Sequence, residues 1–229
     1  MKYFSALLFA AMFFCNNVIF ALAGHDPLLV VVIMVKDDAD VIKPTLEIYC
    51  KADPENKKIA YLIYDVGPKS YSPTMEKAEE LFQEYSVANY YIIQEPYVDG
   101  AASRNRALDM AEKQFPNAEY MLMPDAGWYL QGVEILLNFC EKELQFSNHT
   151  AYLIKVVGPK KEYFYLTKSM VDTLEHLTIR LLRTHSGIRF AGPVWEYVQV
   201  EESYKIPDSI YFEDPEYILE DFWVSLILS

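Results

Sequence analysis

Leu28–Val35 reads Leu-Leu-Val-Val-Val-Ile-Met-Val, an unbroken apolar run rich in β-branched residues. It is too short for a buried helix, and it lacks the alternation of a strand with one face in water. Such a segment is a strand covered on both faces, the situation of a parallel sheet between layers of helix. Most of the chain has to be arranged around that requirement.

The chain beyond this run repeats the theme. Asp40 is placed to cap a helix reaching about Cys50, with Pro44 tolerated in its first turn. Ile59–Tyr64 is a second buried strand that ends at Asp65, and Gly67-Pro68 breaks the chain. Ser72-Pro73 is a helix start, after which Met75, Ala78, Phe82 and Tyr85 share one apolar face. Tyr90–Ile93 predicts a third strand and Ala101–Phe115 a third helix, with Leu108, Ala111 and Phe115 facing inward. Tyr120–Met123 is a fourth strand, closed by Pro124-Asp125. Three such units with short connections predict an α/β, doubly wound and mostly parallel sheet flanked by helices. Ligands of these sheets bind outside the carboxyl ends of the strands. Here those ends carry Lys36-Asp37-Asp38, Asp65, Glu95 and Asp125.

Beyond a helix over about Val133–Leu144 the pattern becomes β-rich and mixed. Strands are expected at Ala151–Val157, Tyr163–Thr167 and Thr178–Arg183, and again at Val194–Val200 after a turn-rich stretch. Asp214-Pro215 begins a last amphipathic segment, read as a helical extension over 205–229. It reaches the final residue without a stop signal, which fits a piece of a longer protein.

Residues 1–23 are set apart from the folded part, expected over 24–204. Lys2, the apolar run Ala6–Phe14 and Ala21-Leu22-Ala23 before Gly24 have the layout of a cleavable signal peptide. The alternative is an uncleaved anchor, because Val18–Ala23 prolongs the apolar stretch, although Cys15-Asn16-Asn17 interrupts it. Export would make the chain secreted, periplasmic or luminal, with no stable membrane span after cleavage. Cys50 and Cys140 then remain, and they read as buried thiols on helical faces or as one disulfide. Asn148-His149-Thr150 is a glycosylation sequon if the host is eukaryotic.

A formal charge of −13 repels nucleic-acid phosphates, and no basic run interleaved with aromatics offsets it. The glycines of dinucleotide and Walker-type phosphate loops are missing, as are zinc-hydrolase and serine-hydrolase motifs.

Four segments do carry a pattern. They are Tyr64-Asp65; Asp99-Gly100-Ala101-Ala102-Ser103-Arg104-Asn105-Arg106-Ala107-Leu108; Met123-Pro124-Asp125-Ala126-Gly127-Trp128; and Arg180-Leu181-Leu182-Arg183 followed by Gly192-Pro193-Val194-Trp195-Glu196. In this order they resemble family-2 glycosyltransferases of the GT-A fold over about residues 28–200. The resemblance implies transfer of a hexose from a nucleoside-diphosphate sugar, with a UDP-sugar as the first expectation, to a glycan, protein or small-molecule acceptor with inversion. It assigns donor binding to Asp65, Arg104, Asp125 and Lys36. Asp125 would also ligate Mn²⁺ or Mg²⁺, and Glu196 would be the base that deprotonates the acceptor. Gly127 stands where the second carboxylate of the family's D-x-D is expected, and Trp195 replaces a histidine. The alternative is a catalytically degenerate module that binds the nucleotide sugar without turnover.

Overall fold

A computed structural model describes residues 26–68, 72–158, 174–192, 197–198, 200 and 203–214. The expected signal segment, the Tyr163–Thr167 strand, Trp195-Glu196 and the helix after Asp214 lie outside them.

The leading apolar run forms β1 (Leu29–Val35), flanked on both sides by parallel neighbours. Next come α1 (Ile42–Ala52), β2 (Ile59–Asp65), α2 (Pro73–Glu84), β3 (Tyr90–Gln94), α3 (Gly100–Gln114) and β4 (Tyr120–Leu122). The parallel half of the sheet runs β3-β2-β1-β4. Chain direction across it therefore reverses between β1 and β4, because α3 carries the chain from the β3 edge back over the sheet. That reversal creates the crevice at which doubly wound folds take ligands.

Alternate residues of the strands feed two cores. On one face Val31, Ile33, Tyr61 and Ile63 meet Ile42 and Leu46 of α1, Ala78 and Phe82 of α2, and Leu136 and Cys140 of α4 (Val133–Phe146). On the other, Val30, Val32, Ala60 and Leu62 pack on Ala107, Leu108 and Ala111 of α3. Leu28–Val35 is buried on both faces as expected, with Leu29 to Ile33 all 0% exposed. Each such side chain contributes roughly 1.5–3 kcal/mol relative to exposure.

The second half continues the sheet in mixed sense, with β5 (Tyr129–Gln131), β6 (Ala151–Gly158), β7 (Leu174–Arg183) and β11 (Tyr211–Glu213) giving the order β4-β7-β6-β11-β5. β10 (Tyr204–Lys205) pairs β6, while β8 (Phe190–Ala191) and β9 (Tyr197–Val198) form a separate ribbon. One expectation is corrected here. A helical extension beginning at 205 does not match, because β11 lies inside the sheet, parallel to β6 and antiparallel to β5. Ile210 and Phe212 are fully buried, so the folded part runs at least to Glu213. No helix among the described residues is long and apolar enough to cross a membrane. Cys50 and Cys140 are both buried free thiols in the first core, so the disulfide alternative drops out. Burial pushes the Cys50 thiol up to about 11, which suits an inert core residue.

Candidate functional site

The carboxyl ends of β1, β2 and β4 bring their acidic residues to one edge, as expected, but each carboxylate has a different job.

Asp65 ends β2 and is 0% exposed. Its Oδ1 accepts the Gly67 N–H at 2.6 Å, and its Oδ2 accepts the Ser72 hydroxyl. Ser72 in turn accepts the Met75 N–H at 3.3 Å and caps α2, with Pro73 in the first turn. Asp65 thus ties the end of β2 to the start of α2. A Cβ on Gly67 would stand 2.9 Å from Oδ1, so the turn needs glycine there. Asp65 is thus buried behind the turn, with both oxygens engaged in closing it.

Asp125 follows β4, and its backbone bridges Met34 at the end of β1. Its Oδ1 accepts from Arg104 Nη2 at 2.5 Å and its Oδ2 from Arg180 Nη2 at 3.0 Å. Arg104 comes from the second turn of α3, Arg180 from the antiparallel strand β7. Their side chains are only 8% and 11% exposed, against 31% for Asp125. Burial alone would raise the Asp125 carboxyl, but Arg180 and Arg104 outweigh it and hold the group below the usual aspartate value. Both guanidiniums lie against aromatic rings. Arg180 stands 5.0 Å from the Trp128 ring centre and 5.8 Å from that of Phe190, and Arg104 5.6 Å from Phe190. Phe190 is itself pinned by Asn105, which exchanges bonds of 2.9 and 2.8 Å with its C=O and N–H. Trp128 is fixed by its indole N–H on Asp214 at 2.9 Å.

Around this cluster, Asp38 closes the first turn after β1 by accepting the Lys36 N–H at 2.6 Å. Burial comes first in raising its carboxyl, the Lys36 N–H opposes it, and the charges of Asp37, Asp65 and Asp125 add to the rise. Lys36 is exposed, and its ammonium makes no ion pair among the described residues. Glu95 accepts the Tyr64 hydroxyl at 2.6 Å.

Asp125 and Arg104 therefore meet at the expected crevice, Lys36 follows β1 on the same edge, Asp65 lies buried at the end of β2, and Glu196 falls outside the described residues. Arg180 had no role assigned from sequence. It opens the Arg180-Leu181-Leu182-Arg183 segment of the resemblance, and its local signal was a cation inside an apolar strand, Ile179-Arg180-Leu181-Leu182. Two other clefts, of about 500 and 270 Å³, open at the amino-terminal edge of the sheet beside Glu119 and Lys58, away from this cluster.

Comparison with solved structures supplies the context. S. aureus TarS residues 1–349 match with a TM-score of 0.56 at 16% identity, over 87% of this chain and 63% of that one. The same protein in complex with UDP-GlcNAc gives 0.57 at 16% identity, over 84% and 59%. Longer TarS gives 0.58 at 18%, over 87% and 38%. The fold is GT-A-like. At these identities the likeness speaks for the fold, and the chain spans less than two thirds of each of these three structures. The sequence itself matches no protein-family model and no curated protein.

The GT-A fold raises the question of a divalent cation, expected on Asp125. The described residues do not fit one. Both carboxylate oxygens already face guanidiniums, and a dication there would meet two like charges at close range. Gly127 sits at φ +88° with its N–H donated to Thr45 Oγ at 2.9 Å, so the missing second carboxylate is not replaced from that position. Among the described residues no three His, Cys, Asp or Glu side chains gather to hold a metal.

Proposed function

We propose that this chain binds a nucleoside-diphosphate sugar, a UDP-sugar by preference, and transfers its hexose with inversion to an acceptor hydroxyl. The observation that carries this reading is the Arg104–Asp125–Arg180 cluster at the crevice between β1 and β4 of a GT-A fold. Buried guanidiniums fixed by a carboxylate and aromatic rings are preorganised to meet charge that develops on a departing diphosphate. Lys36 at the rim adds an exposed cation. In this reading Glu196 takes the acceptor proton as the anomeric carbon is attacked, which makes direct displacement possible without a covalent intermediate. The amino-terminal 23 residues direct export and are removed after Ala23, which leaves the transferase domain outside the cytosol.

A second reading is favoured by one observation. Gly127 lacks the family's second carboxylate, and a chain that has lost that group could retain donor binding without turnover. Incubating the full chain with a panel of UDP- and GDP-sugars, and following both binding and donor hydrolysis, separates the two. Binding with hydrolysis that Glu196→Gln abolishes supports the transferase. Binding without turnover across a broad acceptor panel supports the module, and no binding of any sugar nucleotide rejects both.

A further inference from the structure

A sugar nucleotide brings a diphosphate of at least two negative charges to a chain whose own charge is −13, so a local cation is required. In this edge the cations are built from side chains. Arg104 and Arg180 each give one terminal nitrogen to Asp125, and ring contacts with Trp128 and Phe190 hold their planes. Lys36 lies two residues past Met34, the residue whose backbone bridges Asp125, and its exposed ammonium pairs with no described carboxylate. The position that would complete a metal site is Gly127, whose N–H is tied to the buried Thr45 hydroxyl, itself donating to the Val41 C=O at 2.8 Å. A fixed arginine pair and a dication on the same carboxylate are electrostatic competitors, and the geometry belongs to the arginines.

We infer that Asp125 is a positioning residue, which holds Arg104 and Arg180 beside Lys36 in the place of a divalent cation, and that the donor diphosphate binds on these side chains without metal. The phosphate half of this inference rests on the donor reading above; the cation half does not.

Two measurements on the full chain test it. The first is the electron paramagnetic resonance signal of Mn²⁺ titrated with protein alone. The free-ion amplitude should persist; a loss that follows protein concentration and recovers in Asp125→Asn overturns the inference. The second is calorimetry with UDP in EDTA and in Mn²⁺. Affinity should agree within about twofold between the buffers, Lys36→Met should weaken it by about tenfold in both, and Asp125→Asn should weaken it in both. UDP binding that appears only with Mn²⁺ overturns the inference. If Asp125→Asn does not fold, Lys36→Met, an exposed position, still decides the phosphate half. A chain that binds UDP in neither buffer rejects the donor reading and the phosphate half together, and the manganese titration alone then decides whether Asp125 holds a cation.

Discussion

Removing the Asp125 carboxylate would leave two guanidiniums, 8% and 11% exposed, facing one another without their shared counter-charge. Breaking a fully buried pair costs about 3–5 kcal/mol; with Asp125 itself 31% exposed, roughly 2–4 kcal/mol is expected for Asp125→Ala. Urea unfolding measures it, and a loss under about 1 kcal/mol would mean that the cluster is solvated and not a fixed device. Asp65→Ala should cost about 1–3 kcal/mol for a different reason, because it strands the Gly67 N–H and the Ser72 hydroxyl in a buried turn. If Asp65 instead touched the donor, its replacement would change UDP affinity while leaving stability nearly intact. Strand-end carboxylates were legible from the apolar runs that precede them. Their partners were not, since Arg104 and Arg180 come from 21 and 55 positions away, a separation that no local period reports.

The helices were readable because each presents several turns of one period, and β1 and β2 because each is an unbroken apolar run. β5, β8, β9, β10 and β11 have two or three residues each, too few for a pattern, and they exist because neighbours supply the pairing. The start of α1 shows the same override. Asp40 was the expected cap, but the N-cap is Val41 with no side-chain bond, and Asp40 points to solvent beside Lys77 at 3.3 Å. The start of α4 depends on Gly132, at φ +79°, where a Cβ would stand 2.7 Å from the Ser209 carbonyl oxygen. Gly187, at φ +72°, has nothing within 4 Å of that point. Gly187→Ala should therefore cost only the left-handed backbone, about 1 kcal/mol. Gly132→Ala adds a backbone clash and should cost about 2–4 kcal/mol. Equal shifts in thermal unfolding for the two variants would show that the α4–Ser209 approach is not held.

Two expectations belong to the whole molecule. The first concerns where it ends: β11 fills the gap between β6 and β5, Phe212 is fully buried, and Asp214 holds the Trp128 indole. A chain stopped at residue 204 should unfold at lower temperature and expose two unpaired strand edges, with aggregation as the visible result. The full chain keeps those contacts and is the comparison by light scattering.

The second is pH. Asp125 titrates below its ordinary 3.8 in the folded chain, so its contribution is complete above that value and is lost as pH falls through the folded pKa. His176 is held below 6.5, by burial first and Arg180 second, against the pull of Asp214. The folded state therefore prefers it neutral. Below pH 6.5 the unfolded chain takes up a proton that the folded chain resists, so stability falls on acidification from there down to the folded pKa. Asp38, raised above 3.8, works the other way and returns a little stability in acid. Two losing arms are thus expected, a shallow one beginning near neutrality and a steep one in the carboxylate range. His176→Gln should remove the first arm and leave the second, because the Trp128–Arg180 packing beside it carries no titrating group in that window. Urea midpoints that fall in parallel for both proteins between about pH 7 and pH 5 would assign the loss to another group.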